Sequence, residues 1–203
     1  MKNMPPQKRP PTKTRVLAAA KTLFSLDGFE STTTAAIARQ AATSESQLIK
    51  HFGGKEGLLA ATLEQGWEEI EPPLVAASAI REPREKLRVA FELMLQALEA
   101  DPELAELMLM EGRRGRKGRE HFVMTEGYRR FAGSMEAMVR ELCKENGVTD
   151  VSPHALTSAL IGTLEGLLRD RMVQQRSGRE PVWSLAEVRT IFAFLIPRLF
   201  PAL

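Results

Sequence analysis

Between Thr12 and Gly54 the apolar residues recur at helical spacing, and residues that end helices cut the stretch three times. Gly28, the pair Ala42–Thr43 and the pair Gly53–Gly54 leave no room for one long helix, and no segment alternates at period two. The stretch must therefore fold as three short helices that share a core. In the first, Thr12 to about Asp27, Val16, Ala20, Leu23 and Phe24 share a face, and Phe29 folds back after the glycine stop. The second runs from about Thr33 to Ala41, with Thr32 as N-cap and Ile37, Ala38 and Ala41 turned inward. The third runs from Ser44 to about Phe52; Ser44 and Gln47 have capping-box spacing, and Leu48 and Phe52 point the same way.

The rest of the chain carries helical punctuation too. Lys55 opens a longer helix through Leu58, Leu59, Thr62, Leu63, Trp67 and Ile70, which Pro72 and Pro73 are expected to stop. Further helices are expected from Pro83 to about Ala100, from Asp101–Pro102 to about Gly112 and from about His121 to Asn146. Two more should run from Ser152–Pro153 to about Gly178 and from Ser184 to about Phe200, the last opened by a Ser184/Glu187 capping box. The run Arg113–Arg119 reads as a charged loop that either gates a pocket or is simply solvated. The fold class is all-α, a three-helix head followed by a roughly six-helix body.

Charge separates the two parts. Overall the chain has 28 basic and 26 acidic side chains, a net +2. Residues 1–55 hold nine basic and three acidic residues, a net +6, and the remainder is −4. A basic quarter on an acidic body points to a nucleic acid or another polyanion. The proline-rich start, residues 1–11, reads as an extended basic arm, either a disordered tail or a minor-groove contact. No apolar stretch follows it as in a secretory signal. The longest uncharged runs, His154–Leu164 and Thr190–Pro197, are too short to cross a bilayer. A single cysteine, Cys143, and three scattered histidines provide neither a disulfide nor a metal framework, and no cofactor motif is present. The expectation is a cytoplasmic protein without a metal, a cofactor or a membrane segment.

With Leu48 set in the core, Ser46 and Lys50 fall on the outer side of the third helix, flanked by Gln47 and Ile49. That is the arrangement of a helix-turn-helix recognition helix, in which Gln suits adenine and Lys suits guanine or phosphate. The stretch Thr14–Trp67 resembles the DNA-binding region of TetR-type transcriptional regulators. The resemblance is carried by Ala19-Ala20 with Leu23-Phe24, Gly28-Phe29 with Thr32-Thr33, Ile37-Ala38, Ser44 with Leu48, and the run His51-Phe52-Gly53-Gly54-Lys55-Glu56-Gly57-Leu58-Leu59. It implies that Thr33 and Thr34 approach DNA from the start of the second helix. Glu45, Ser46, Gln47 and Lys50 would lie along the recognition helix, and His51 and Lys55 on phosphates. Two departures stand out. The family usually has Gly then Val in the turn, where this chain has Ala42 and Thr43. Where an aromatic often follows Leu48, this chain has Ile49, which cannot donate to a phosphate but can meet a thymine methyl. Gln47 is open to base contact or to its capping box, and His51 to a phosphate or to a cap.

The helices near residues 153–177 and 184–200 are apolar on more than one side, so each needs a second cover. A homodimer interface supplies it, as the resemblance also implies; an internal helix pair is the alternative. Domains are accordingly expected at 12–55 for DNA binding and 56–203 for ligand binding and dimerisation. Phe91, Met94, Met108, Phe122, Tyr128, Phe131 and Met135 are candidates for an adaptable apolar pocket, though such residues also build cores. Glu165, a carboxylate in an apolar helix, either meets a ligand or pairs with Arg169. The function these features indicate is a dimeric repressor of transcription that binds double-stranded operator DNA and is released by a small apolar or amphipathic effector. The alternative is a helical carrier or enzyme with no DNA-directed role.

Overall fold

The structure is a computed structural model that describes residues 10–111, 115–116, 119–122 and 124–200, with backbone only at 110, 115–116 and 119–122. The expected arm therefore lies outside the described residues except for Pro10 and Pro11. Among the described residues nine helices run in order: α1 Thr12–Asp27, α2 Thr34–Gln40, α3 Glu45–Phe52, α4 Lys55–Ser78, α5 Pro83–Ala100, α6 Pro102–Met110, α7 Glu126–Glu145, α8 Pro153–Arg176 and α9 Leu185–Leu199. The fold is all-α, as the sequence indicates. The expected loop departs from this locally: β1 Gly115–Arg116 pairs antiparallel with β2 Arg119–Phe122. Two compact units are distinguished, one up to Leu63 and one from Glu64 onward.

In the first unit, Val16, Ala20, Phe24, Ile37, Leu48 and Leu58 are fully buried, and Phe29 packs its ring 5.3 Å from Phe24 across the Gly28 stop. Burying each large side chain contributes about 1.5–3 kcal/mol, which is what holds helices as short as α2 and α3. The cap of α2 is Thr33, not Thr32: Thr33 Oγ1 accepts from the Ala36 amide at 3.1 Å. Thr32 is buried, and its hydroxyl donates toward the Leu23 and Gly28 carbonyls, closing the turn after α1. An α2 start one residue later follows from that inward use of Thr32.

The second unit encloses a single larger core to which every one of its helices contributes. Phe91 of α5 stacks on Phe192 of α9 with ring centroids 4.3 Å apart, and Trp67 of α4 stacks on Phe131 of α7 at 5.0 Å. Pro72 and Pro73 do not end α4, which continues to Ser78. The carbonyls that the two prolines leave without donors belong to Glu68 and Glu69, both exposed, so water can satisfy them. Meanwhile Leu74 and Ala77, beyond the prolines, are buried and hold the last turns in place. Helix α7 starts at Glu126 rather than near His121, because Thr125 takes the N-cap and β2 occupies the residues before it. The Ser184/Glu187 capping box at α9 is present in both directions.

No helix among the described residues is long and apolar enough to cross a membrane, and no cluster of His, Cys, Asp and Glu among them is suited to a metal ion.

Candidate nucleic-acid interface

The turn between α2 and α3 is built as a Schellman motif. The Thr43 amide donates to the Ala38 carbonyl at 3.0 Å and the Ala42 amide to the Arg39 carbonyl at 3.1 Å. This geometry requires a left-handed residue at Ala42, whose φ is +49°, the only positive φ on a non-glycine residue among those described. An alanine there is strained by about 1–2 kcal/mol relative to an ordinary helical residue. Arg15 of α1 supplies a compensation. Its guanidinium donates to the Ala41 carbonyl at 2.9 Å, the Ala42 carbonyl at 3.3 Å and the Pro10 carbonyl at 2.7 Å. One side chain thus ties the turn to the start of α1. The partners are main-chain carbonyls, two of them over twenty residues away, and no residue pattern announces such a bond.

Helix α3 begins at Ser44, whose Oγ accepts from the Gln47 amide at 3.3 Å. Only this half of the capping box appears, so the Gln47 side chain is not committed to it. Leu48 anchors the helix to the core, and Glu45, Ser46, Gln47, Ile49, Lys50 and His51 are all exposed. Across the turn, the Thr34 hydroxyl donates to Glu45 Oε1, which links the first turn of α2 to the first turn of α3. Ser46 shares a hydrogen bond with Ser44 at 3.0 Å. The outer surface of α3 is therefore polar, preorganised at its N-terminal end and open at Gln47 and Lys50. Ile49, 49% exposed, is the apolar exception.

Gly53, with φ +73°, ends α3. Gly57 has a different reason to be glycine: a Cβ there would lie 1.9 Å from the Phe52 carbonyl oxygen. Only a residue without a side chain allows α4 to start so close to the end of α3. Lys55, expected on a phosphate, is half-buried and bound to the protein itself. Its ammonium donates to the Thr32 carbonyl at 2.8 Å and the Glu30 carbonyl at 3.2 Å, and lies 4.4 Å from the centre of the Phe29 ring. Thr33, although exposed, is engaged as the α2 cap, and Thr34 is half-buried and bound to Glu45, while Glu45, Ser46, Gln47, Lys50 and His51 are exposed on α3.

In the second unit the candidate pocket residues divide. Phe91, Met94 and Met135 are core, Met108 packs against it half-buried, and the Phe122 side chain lies outside the described residues. Tyr128 packs edge-on against Trp67 at 5.7 Å; its hydroxyl is held above the usual tyrosine range by burial and by Glu165 and Glu111. Phe131 lines a cleft. That cleft, about 230 Å³, lies between α4, α5 and α7, with Trp67, Leu74, Phe131 and Met138 as apolar lining and Lys86, Glu141, Glu71 and Arg130 as charged lining. Lys86 donates to Glu141 at 2.6 Å, and Arg130 binds Glu64 and Glu71 at 3.0 Å each. The Glu111 carboxylate accepts from Trp67 Nε1 at 2.8 Å and from the Thr125 amide at 2.7 Å. A second cleft of about 280 Å³ is bounded by α5, α6, α8 and α9. There burial raises the Glu106 carboxyl above its ordinary range, against the opposing pull of Arg176. Cys143 is buried, and burial pushes its thiol up, away from the reactive thiolate.

Comparison with known proteins places this geometry. Residues 16–62 match the family described as bacterial regulatory proteins, tetR family. The HTH-type transcriptional regulator UidR of Escherichia coli K12 is 40% identical over 75 residues, 37% of this chain. The match spans about a third, 35%, of that relative's length. Among solved structures, the fatty acid degradation regulator FadR from Bacillus halodurans superposes with a TM-score of 0.77 at 16% identity, covering 94% of this chain and 96% of that one. FadR from Bacillus subtilis, solved in complex with stearoyl-CoA, gives 0.74 at 15% identity over 94% and 98%. At these identities the solved structures establish the fold, and the kinship shown is that of the N-terminal region: residues 16–62 are those of the tetR family of bacterial regulatory proteins.

Proposed function

We propose that the chain is a sequence-specific DNA-binding regulator of transcription that acts as a dimer in the cytoplasm and carries out no catalysis. Residues 12–55 form the DNA-binding domain and residues 56–203 the sensing and dimerising domain. The observation that carries the reading is the outer surface of α3. Leu48 is sealed in the core while Ser46, Gln47 and Lys50 stand exposed on a helix positioned by a hydrogen-bonded turn. In this reading Gln47, Ser46 and Glu45 face base edges, Lys50 and His51 face phosphate or guanine, and Thr33 and Thr34 approach the backbone. Lys55 supports the surface from behind by holding the segment that precedes α2.

Dimerisation supplies the second half-site. The exposed side of α8 carries Ala155, Ala159, Gly162 and Gly166, small residues with open space beyond the two glycines, which lets another helix approach closely. Phe194 of α9 is 53% exposed, a large apolar group that a partner copy would cover. The likeness to a regulator solved with stearoyl-CoA supports a small-molecule effector, and in this reading the effector relieves repression. The test is a binding titration of purified protein on the DNA upstream of its own gene against random duplex. Preference for the upstream DNA is expected, and equal affinity for both overturns the reading.

A further inference from the structure

The cleft between α4, α5 and α7 combines features that specify a ligand charge. Lys86 is only 9% exposed, and its ammonium is 2.6 Å from a single carboxylate, that of Glu141. A buried ammonium must keep an anionic partner. Glu141 has no such need, since its side chain is 43% exposed and can return to water. An incoming carboxylate can thus take over Lys86 while Glu141 swings out, exchanging like for like at the ammonium. The remainder of the ligand would meet Trp67, Leu74, Phe131 and Met138, an apolar surface beside the ion pair. The opposite wall offers no second anion site, because the Arg130 guanidinium is held by both Glu64 and Glu71.

We infer that this cleft binds a compact, amphipathic monocarboxylate as the effector, with Lys86 as its charge anchor and Glu141 as the displaceable internal competitor. The inference rests on residues 56–203 being the sensing domain. A volume of about 230 Å³ is small for a ligand site, which favours a medium-chain or aryl-alkyl acid. That volume also excludes the whole of an acyl-CoA.

The experiment follows Trp67 fluorescence in the full chain carrying Trp183→Phe, which leaves Trp67 as the sole tryptophan. Octanoate is titrated against octanamide and octylammonium, in the absence of DNA. The expected result is a roughly tenfold to hundredfold preference for octanoate over octanamide, the worth of one charge-assisted bond. Lys86→Met should erase the preference. Glu141→Gln should tighten octanoate binding roughly fivefold by weakening the competitor. Equal binding of acid and amide, preference for the amine, absence of octanoate binding, or a Glu141→Gln variant with unchanged or weaker affinity each overturns the inference. The Glu141→Gln arm keeps the test decisive should Lys86→Met fail to fold. A protein that binds octanoate in this way but shows no preference for its upstream DNA supports the cleft and overturns the regulator reading. The two failures are thereby separated.

Discussion

Arg15 and Ala42 form a coupled pair in which one residue strains the backbone and the other holds it. With the guanidinium removed, the carbonyls of Ala41 and Ala42 lose their donor, and the left-handed alanine has less to keep it there. Arg15→Ala should lower stability by about 1–2 kcal/mol and weaken binding to the preferred duplex more than to random DNA, since α3 loses its fixed attitude. A thermal melt and a paired titration would show it; an equal loss on both duplexes would mean that Arg15 acts only as a charge. Ala42→Gly should stabilise by up to about 1 kcal/mol, because relief of the positive φ outweighs the added chain entropy. Its measure is a rise in the urea midpoint without a change in slope. Of this pair, only the strain was legible in the sequence, through the alanine where a left-handed turn was due. Arg15 could not be found that way, because main-chain carbonyls look alike in every sequence. Thr32 and Thr33 show a similar limit: adjacent threonines are equal candidates for a cap until the core decides which one turns inward.

At the scale of elements, helix existence was readable and helix ends less so. Capping signals placed α5, α6, α8 and α9 within a residue or two, because a proline at N1 or a serine before an apolar run acts locally. Helix α4 went further than its prolines suggest, since the decision depended on whether Glu68 and Glu69 face water and whether Leu74 finds a core. Neither is a local property. Replacing Pro72 and Pro73 together by alanine should restore two hydrogen bonds and stabilise α4 by up to about 3 kcal/mol for each. Slower amide exchange through that turn is the readout, and an unchanged exchange rate would mean that packing of Leu74 and Ala77 already sets the stability of the segment. The pocket candidates failed to converge for a related reason. Met and Phe at helical spacing serve core and cleft equally well, and Phe91, Met94 and Met135 went to the core. The Lys86–Glu141 pair was missed because its members lie 55 positions apart on different helices.

For the whole molecule, the apolar outer sides of α8 and α9 are the strongest statement about assembly. Phe194→Glu should convert a dimer into a monomer, seen as a halved mass in light scattering, and lower duplex affinity by the loss of the second half-site. If the variant remains dimeric, the interface lies elsewhere. An effector that reverses a 99:1 preference between two states of such a dimer must discriminate between them by about 5.5 kcal/mol. Two sites, one in each copy, would share that requirement.

The carbonyl-bound ammonium of Lys55 also bears on ion release. Each phosphate that a protein neutralises liberates condensed counterions, so the logarithm of affinity falls with the logarithm of salt in proportion to the number of such contacts. The +6 of residues 1–55 is an upper bound on that number, since the donors of Lys55 and Arg15 are bound to carbonyls of the protein and these two cations are not free to make direct phosphate contacts. Lys50→Ala should reduce the slope by about one, whereas Lys55→Ala should leave the slope unchanged while weakening binding through the displaced start of α2. The salt dependence of this protein thus counts the cations whose donors its fold leaves free for phosphate.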